Sequence, residues 1–327
     1  MQREQMGCYM RNKEINWGYF YILLAAVLFS SMEVAMKFVV GQFNPIQMTF
    51  SRFFVGGAVL LPMAIHMLKK CGEKLSGKDV GVFVVLGFLG IAAGMSLFQM
   101  AVPRIDASVI SVLYSSNPVF VTFFAFLLLR ETITRNQVLG LLLDLLGILC
   151  IIDPLNMKMD ALGIVLIMSS VLLFSLYSVC NKPQCHRFGS VVVTCFSFLF
   201  GAAELMLMAA LTHISTVAHA MENAGMSQFV SIPFFEGYSV ATIPAILLIF
   251  VANTGLGYTF YFTAMEKTSA QKANLVFFLK PVLAPLLAFL ILHETIQTNR
   301  ILGIFLILCG SVVSVWPGKA MPRKTKE

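Results

Sequence analysis

The second half of this sequence repeats the first, in gapless register over long stretches, and no other feature constrains the fold as much. Leu28-Phe29-Ser30 aligns with Leu173-Phe174-Ser175. The same offset pairs Val34 with Val179, Lys37 with Lys182, Thr49 with Thr194, Phe53 with Phe198 and Gly56 with Gly201. A second constant offset pairs Pro118-Val119 with Pro281-Val282, Ala125-Phe126-Leu127 with Ala288-Phe289-Leu290, and Glu131-Thr132-Ile133 with Glu294-Thr295-Ile296. It continues through Asn136, Leu139-Gly140 and Gly147 onto Asn299, Leu302-Gly303 and Gly310. The change of offset requires an insertion in the second copy. The one long polar connection, around residues 213–239, supplies it.

Apolar residues make up 58% of the chain and charged residues 12%, against a norm of roughly 25% charged. Most of the chain must therefore face lipid or other apolar helices. Ten apolar runs recur, over residues 17–40, 45–68, 79–101, 106–129, 136–153, 161–181, 189–212, 240–264, 270–292 and 299–317. Each is near the roughly 20 residues that cross a bilayer core. Five spans per copy is an odd number, so tandem copies enter the membrane in opposite orientations. The expected fold is an all-α integral membrane protein of ten transmembrane helices in two inverted five-helix repeats, residues 1–155 and 156–327. The first apolar run is too long for a signal h-region and reads as a retained span. Within the insertion, Ser215–Asn223 predicts a short surface helix. The loop is either a lid or an inert insertion.

The net charge of +7 belongs to the connections. With the N-terminus inside, seventeen Lys and Arg fall in inner segments, including Lys69, Lys70, Lys74 and Lys78; only Arg104, Lys158 and Arg300 fall outside. By the positive-inside rule both termini are cytoplasmic. The partners expected are the lipid bilayer and a small-molecule substrate, not nucleic acid; a homodimer is left open. The seven cysteines show neither disulfide nor metal spacing. No GxxxxGK[ST] or HExxH pattern occurs, so no cofactor, metal or enzymatic activity is expected.

Ionisable groups inside a span are costly and are functional candidates by default. They are Glu33, Lys37, Arg52, Asp144, Glu204 and Lys280. Lys280 is near the centre of its span, directly before Pro281, and its repeat mate is Asn117 before Pro118. Polar groups beside prolines at matching places in both halves mark a midplane binding site. Lys280 then either anchors an anionic substrate group or forms a helix-locking pair with Glu33 or Glu204. Glu33 is a candidate for substrate contact or proton coupling, or a partner of Lys37 or Arg52. Lys37 is placed to snorkel. Glu204, deep in its span, is a second candidate for proton coupling. Asp144 has three open readings: helix packing, oligomer contact or transport. Asn253, Gly257 and Tyr261 follow i, i+4, i+8 spacing on one face, with Gly90, Gly94 and Phe98 as mates. Tyr114, Tyr177 and Asn181 add aromatic surface and hydrogen-bonding groups. Taken singly, each also fits ordinary helix packing. The candidate substrate residues are thus Lys280, Asn117, Glu33, Asn253, Tyr177, Tyr114 and Tyr261. The repeated Leu-x-Glu-Thr-Ile, Leu129 to Ile133 and Leu292 to Ile296, ends a span in each copy, where its glutamate suits a capping role better than substrate contact.

The two copies read NPVFVTFFAFLLLRETITRNQVLG and KPVLAPLLAFLILHETIQTNRILG. In the central Pro, the terminal Glu and the Gly-containing span that follows, each resembles the EamA-like unit of the drug/metabolite transporter superfamily. The resemblance covers nearly the whole chain. It implies ten helices around a central cavity, alternating access, and small metabolites such as amino acids or related solutes as cargo, often exported. Many units of that family carry Gly before the terminal Glu; this chain carries Arg130 and His293. The expected function is a secondary transporter in the plasma membrane. A channel or a non-transporting scaffold subunit is the alternative.

Overall fold

A computed structural model describes residues 2–129, 134–153, 160–223, 229–268, 273, 275–295 and 297–315. The regular elements are helices, as lipid demands of a chain that must satisfy its backbone internally. In chain order they are α1 (Gln2–Lys37), α2 (Pro45–Cys71), α3 (Gly77–Ala101), α4 (Ala107–Leu128), α5 (Arg135–Ile152), α6 (Ala161–Cys180), α7 (Ser190–Leu211), α8 (Ile243–Lys267), α9 (Leu275–Leu292) and α10 (Thr298–Val315). Among the described residues nine helices, the first counted from Trp17, are long and apolar enough to cross a membrane; the tenth is a shorter apolar helix, Thr298–Gly310. α1 starts well before its apolar run because the preceding residues are mostly good helix formers. The short helices Lys182–Phe188 and Ser215–Asn223 lie between spans.

Local chemistry sets the helix ends. The Asn44 side chain accepts from Ile46 N, Pro45 occupies the first turn, and Gly72 closes α2 at φ 68°. Ser76 and Asp79 form a capping box on α3, as do Thr134 and Gln137 on α5. Asp160 caps α6 through Gly163 N. That bond and the Arg104 guanidinium hold its carboxyl below the usual range. At the start of α4 the cap comes from the other repeat: Glu294 accepts from Ala107 N (2.8 Å), Ser108 N (3.1 Å) and Ser108 Oγ (2.6 Å). Its mate Glu131 lies outside the described residues. His293, before Glu294, adopts φ 55°. The tight left-handed turn that glycine favours is therefore present without glycine, in a residue type that tolerates it better than most.

The packing is that of two related halves. α1 lies on α8 and α9, and α6, its mate, lies on α3 and α4. α2 packs on its own mate α7, and α5 on its own mate α10. The mates Phe53 and Phe198 touch, ring centroids 4.7 Å apart. A Cβ on Gly147 would lie 2.8 Å from Gly303 O, and one on Gly310 would lie 2.8 Å from Gly140 O. Early residues of α5 thus meet late residues of α10, so the mated helices run antiparallel. The described part of the inserted segment does not stand apart. Ile232 N bonds Thr212 Oγ1, Gln47 Nε2 bonds Glu236 O, and Tyr238 Oη bonds Ser51 Oγ, which straps it onto α2 and α7.

Two outcomes test this packing. Gly147→Leu should force α5 from α10 and lower Tm by several degrees, overpacking costing about 1–3 kcal/mol. Gly81→Ala, in open space, should leave Tm unchanged; thermal unfolding monitored by size-exclusion chromatography reads both. Glu294→Gln should weaken the α4 cap, at a cost of about 0.5–2 kcal/mol, whereas His293→Gly should hold or raise Tm by relieving a left-handed backbone worth about 1 kcal/mol.

Candidate functional site

A cavity of about 240 Å³ lies between the halves. Several helices deliver polar groups to it. Lys280 comes from α9, Arg52 from α2, Tyr114 from α4, Tyr177 and Asn181 from the end of α6, and Tyr258 from α8. Phe29, Phe53, Phe98 and Phe198 complete an aromatic surround. The Tyr258 ring stands edge-on to both Phe29 and Phe198, at 4.9 Å and 5.1 Å.

Lys280 Nζ lies 2.6 Å from Glu33 Oε1 and 5.4 Å from the centre of the Tyr114 ring. Both partners are buried, Glu33 completely. Glu33 stands behind Lys280 rather than in the cavity wall. Each charge would cost several kcal/mol alone in this setting, so the pair holds together the helices that carry it. It joins α1 of the first repeat to α9 of the second.

The cavity is asymmetric along its length. One end is lined by Asn181, Cys185, Ser190 and Met265, all partly exposed. These residues lie on the basic face, which also carries the α2–α3 connection with Lys69, Lys70 and Lys74. Burial pushes the Cys185 thiol up to about 11, so it is neutral there and a poor nucleophile. At the opposite face the helix ends are tied. Lys37 Nζ donates to Val102 O (2.7 Å) and Ile105 O (2.6 Å), Glu294 caps α4, and Arg300 pairs with Asp106 (2.6 Å).

Of the residues singled out from sequence, Lys280, Tyr114, Tyr177 and Tyr261 line the cavity. Asn117 does not. It sits where α4 breaks at Ser116, and its carbonyl accepts from Ser175 Oγ at 3.3 Å. α9, by contrast, continues through Pro281 and Pro285. Asn253 is buried in α8 outside the cavity wall. Leu247–Leu256 is π-helical, as is Phe88–Met95 in the mated α3. The face that meets the cavity is Thr254, Tyr258 and Tyr261, at i, i+4 and i+7, one residue along from Asn253. Gly90 serves packing, its Cα lying against the Tyr177 ring. Glu204 lies outside the cavity wall.

The expected pairings of Glu33 with Lys37 or Arg52 are not formed. Lys37 serves the carbonyl of Val102 at the end of α3 and that of Ile105 in the connection to α4, and Lys280 takes Glu33. Arg52, expected as an ion-pair partner, instead faces the cavity on a bed of thioethers. Its Nη1 lies 3.6 Å from Met32 Sδ and 3.7 Å from Met36 Sδ, and its Nη2 lies 3.5 Å from Met95 Sδ. The sequence signal for this was present but unread: Met32 and Met36 are one helical turn apart, on the helix that carries Glu33. Among the described residues no cluster of His, Cys, Asp or Glu could hold a metal.

Comparison with known proteins agrees with this architecture. An uncharacterized transporter of Clostridium kluyveri is 32% identical over 305 residues, covering 91% of this chain and 92% of its own. The uncharacterized transporter YoaV of Bacillus subtilis is 24% identical, over 88% of this chain and 93% of its own. A solved structure superposes with a TM-score of 0.60 at 19% identity, covering 93% of this chain and 98% of its own, a likeness of fold. The family model of the EamA-like transporters matches twice, at residues 16–153 and 161–316. With a match to each half and a relative this similar along nearly its whole length, the chain belongs to the EamA-like transporter family.

Proposed function

We propose that this multi-pass membrane protein is a secondary transporter that exports a small organic metabolite by alternating access at the central cavity. The observation that carries the reading is the buried Glu33–Lys280 pair, shared between the two repeats at the wall of a cavity lined to one face. A substrate seated against this wall changes the contact between α1 and α9, and so couples binding to the relation of the halves. The excess of Lys and Arg on the connections of the basic face supports a cytoplasmic location for that face and for both termini, in a plasma membrane. With no nucleotide-binding motif in the sequence, a gradient of protons or solute supplies the energy. The ties at the opposite face speak against an open channel, which needs a continuous polar path.

Reconstituted vesicles test the reading. Flux of a solute found by thermal-shift screening of amino acids, nucleosides and organic anions should saturate and show counterflow; non-saturating conductance would point to a channel. Lys280→Ala at equal protein amount should lower uptake about tenfold or more, as expected for loss of a charged hydrogen bond of about 1.5–3 kcal/mol. Unchanged kinetics would remove Lys280 from the site.

A further inference from the structure

Arg52 is 1% exposed and in the cavity wall. Its guanidinium carries a permanent charge and five donors. Three thioether sulfurs, which are weak acceptors, receive Nη1 and Nη2, and Nε has no partner. The Phe53 ring lies 4.4 Å from Cζ and the Phe98 ring 5.8 Å. Among the described residues no carboxylate lies within ion-pair distance of it. Lys280 is different, because Glu33 neutralises it. Among the described residues the cavity wall thus holds one uncompensated positive charge, and that charge is Arg52. A buried ion without a partner is costly in a bilayer, and a planar fork matches an oxyanion on two parallel hydrogen bonds. Met32 and Met95 line the cavity beside it, and flexible thioethers yield readily to an incoming group.

We infer that Arg52 is the anion-binding residue of the site, and that the cargo is a monoanionic organic acid with a small apolar or aromatic body. The inference rests on the transporter reading and narrows it. The carboxylate takes the guanidinium, and the body packs among Phe29, Tyr258 and Tyr261. An ammonium on the cargo finds no free partner, since Glu33 is spent on Lys280. A simple carboxylate is therefore favoured over the matching zwitterion, and a cation is rejected.

Four probes of one shape test this: 3-phenylpropionate, L-phenylalanine, phenethylamine and 3-phenylpropanol, added to the purified protein at millimolar concentration and read as a shift in Tm. 3-Phenylpropionate should give the largest rise and phenethylamine none. Arg52→Gln should weaken 3-phenylpropionate by tenfold or more while the ligand-free Tm holds or rises, because an unpaired buried charge has been removed. If Arg52→Gln does not fold, Arg52→Lys serves: it keeps the charge, loses the fork, and should weaken the same probe with unchanged ligand-free Tm. Equal shifts with all four probes would overturn the inference. So would the absence of any shift, a 3-phenylpropionate shift that survives Arg52→Gln, or a shift from chloride alone as large as that from the carboxylate. The transporter reading fails separately. Arg52-dependent binding without saturable flux would sink transport and leave the anion site standing. Saturable flux of a neutral or cationic solute would do the reverse.

Discussion

Each half of this protein packs against its own image, and the rest of the structure follows from that contact. α2 on α7 and α5 on α10 are pairings of mates. Such a pairing closes only if residues on the axis are small or can stack. Phe53 and Phe198 stack edge to face at 4.7 Å. Away from them the contacts come in matched couples. Gly56 lies against Thr254, and its mate Gly201 lies against Thr254's mate Ile91. In lipid, where no water drives helices together, close backbone approach at small residues supplies much of the association energy. A tilt about that axis that keeps both seams is what the proposed alternating access requires.

The charges break that symmetry. Arg52, Glu33 and Lys280 have as mates Ser197, Ser178 and Asn117, none of them charged. All three charged groups lie at or directly behind the cavity wall. The backbone is thus symmetric where the side chains at the cavity are not, and the proposed transport needs both: a symmetric frame to rock and an asymmetric wall to orient a ligand. The face opposite the basic connections is tied. Lys37 and Glu294 both serve the free ends of helices, one the Val102 carbonyl closing α3, the other the amides opening α4. Charge-assisted bonds of this kind are worth about 1.5–3 kcal/mol each, a cost that the proposed alternating access would have to meet to open this face.

The fold was largely legible because its signals are periodic and redundant. Ten apolar runs, an odd repeat and a one-sided distribution of Lys and Arg each point to the same architecture. The site was legible only in part. Lys280 was recognised by its depth and by Pro281 beside it. Asn253 lies off the cavity wall: a spacing argument shows which residues share a face but not which face meets the cavity, and that face is Thr254, Tyr258 and Tyr261. The left-handed turn at His293 was hidden by the departure from glycine. Arg52 was misjudged for another reason: complementary charges near in sequence invite pairing on paper, but Lys280, more than two hundred residues from Glu33, wins the carboxylate in space.

That competition decides the electrostatics of the cavity. One buried carboxylate faces two buried cations, and a bond of 2.6 Å to one of them leaves the other to be met by sulfur and aromatic faces. A carboxylate in place of Met32 or Met36 would pair Arg52 permanently and quench its attraction for an anion. Thioethers do the opposite. They exclude water, fill the space, and offer the guanidinium too little to keep it. The cost of burying that charge is carried by the fold in the empty state and is recovered when a ligand brings the missing negative group. Selectivity then comes from what the protein withholds from Arg52, more than from any contact it adds.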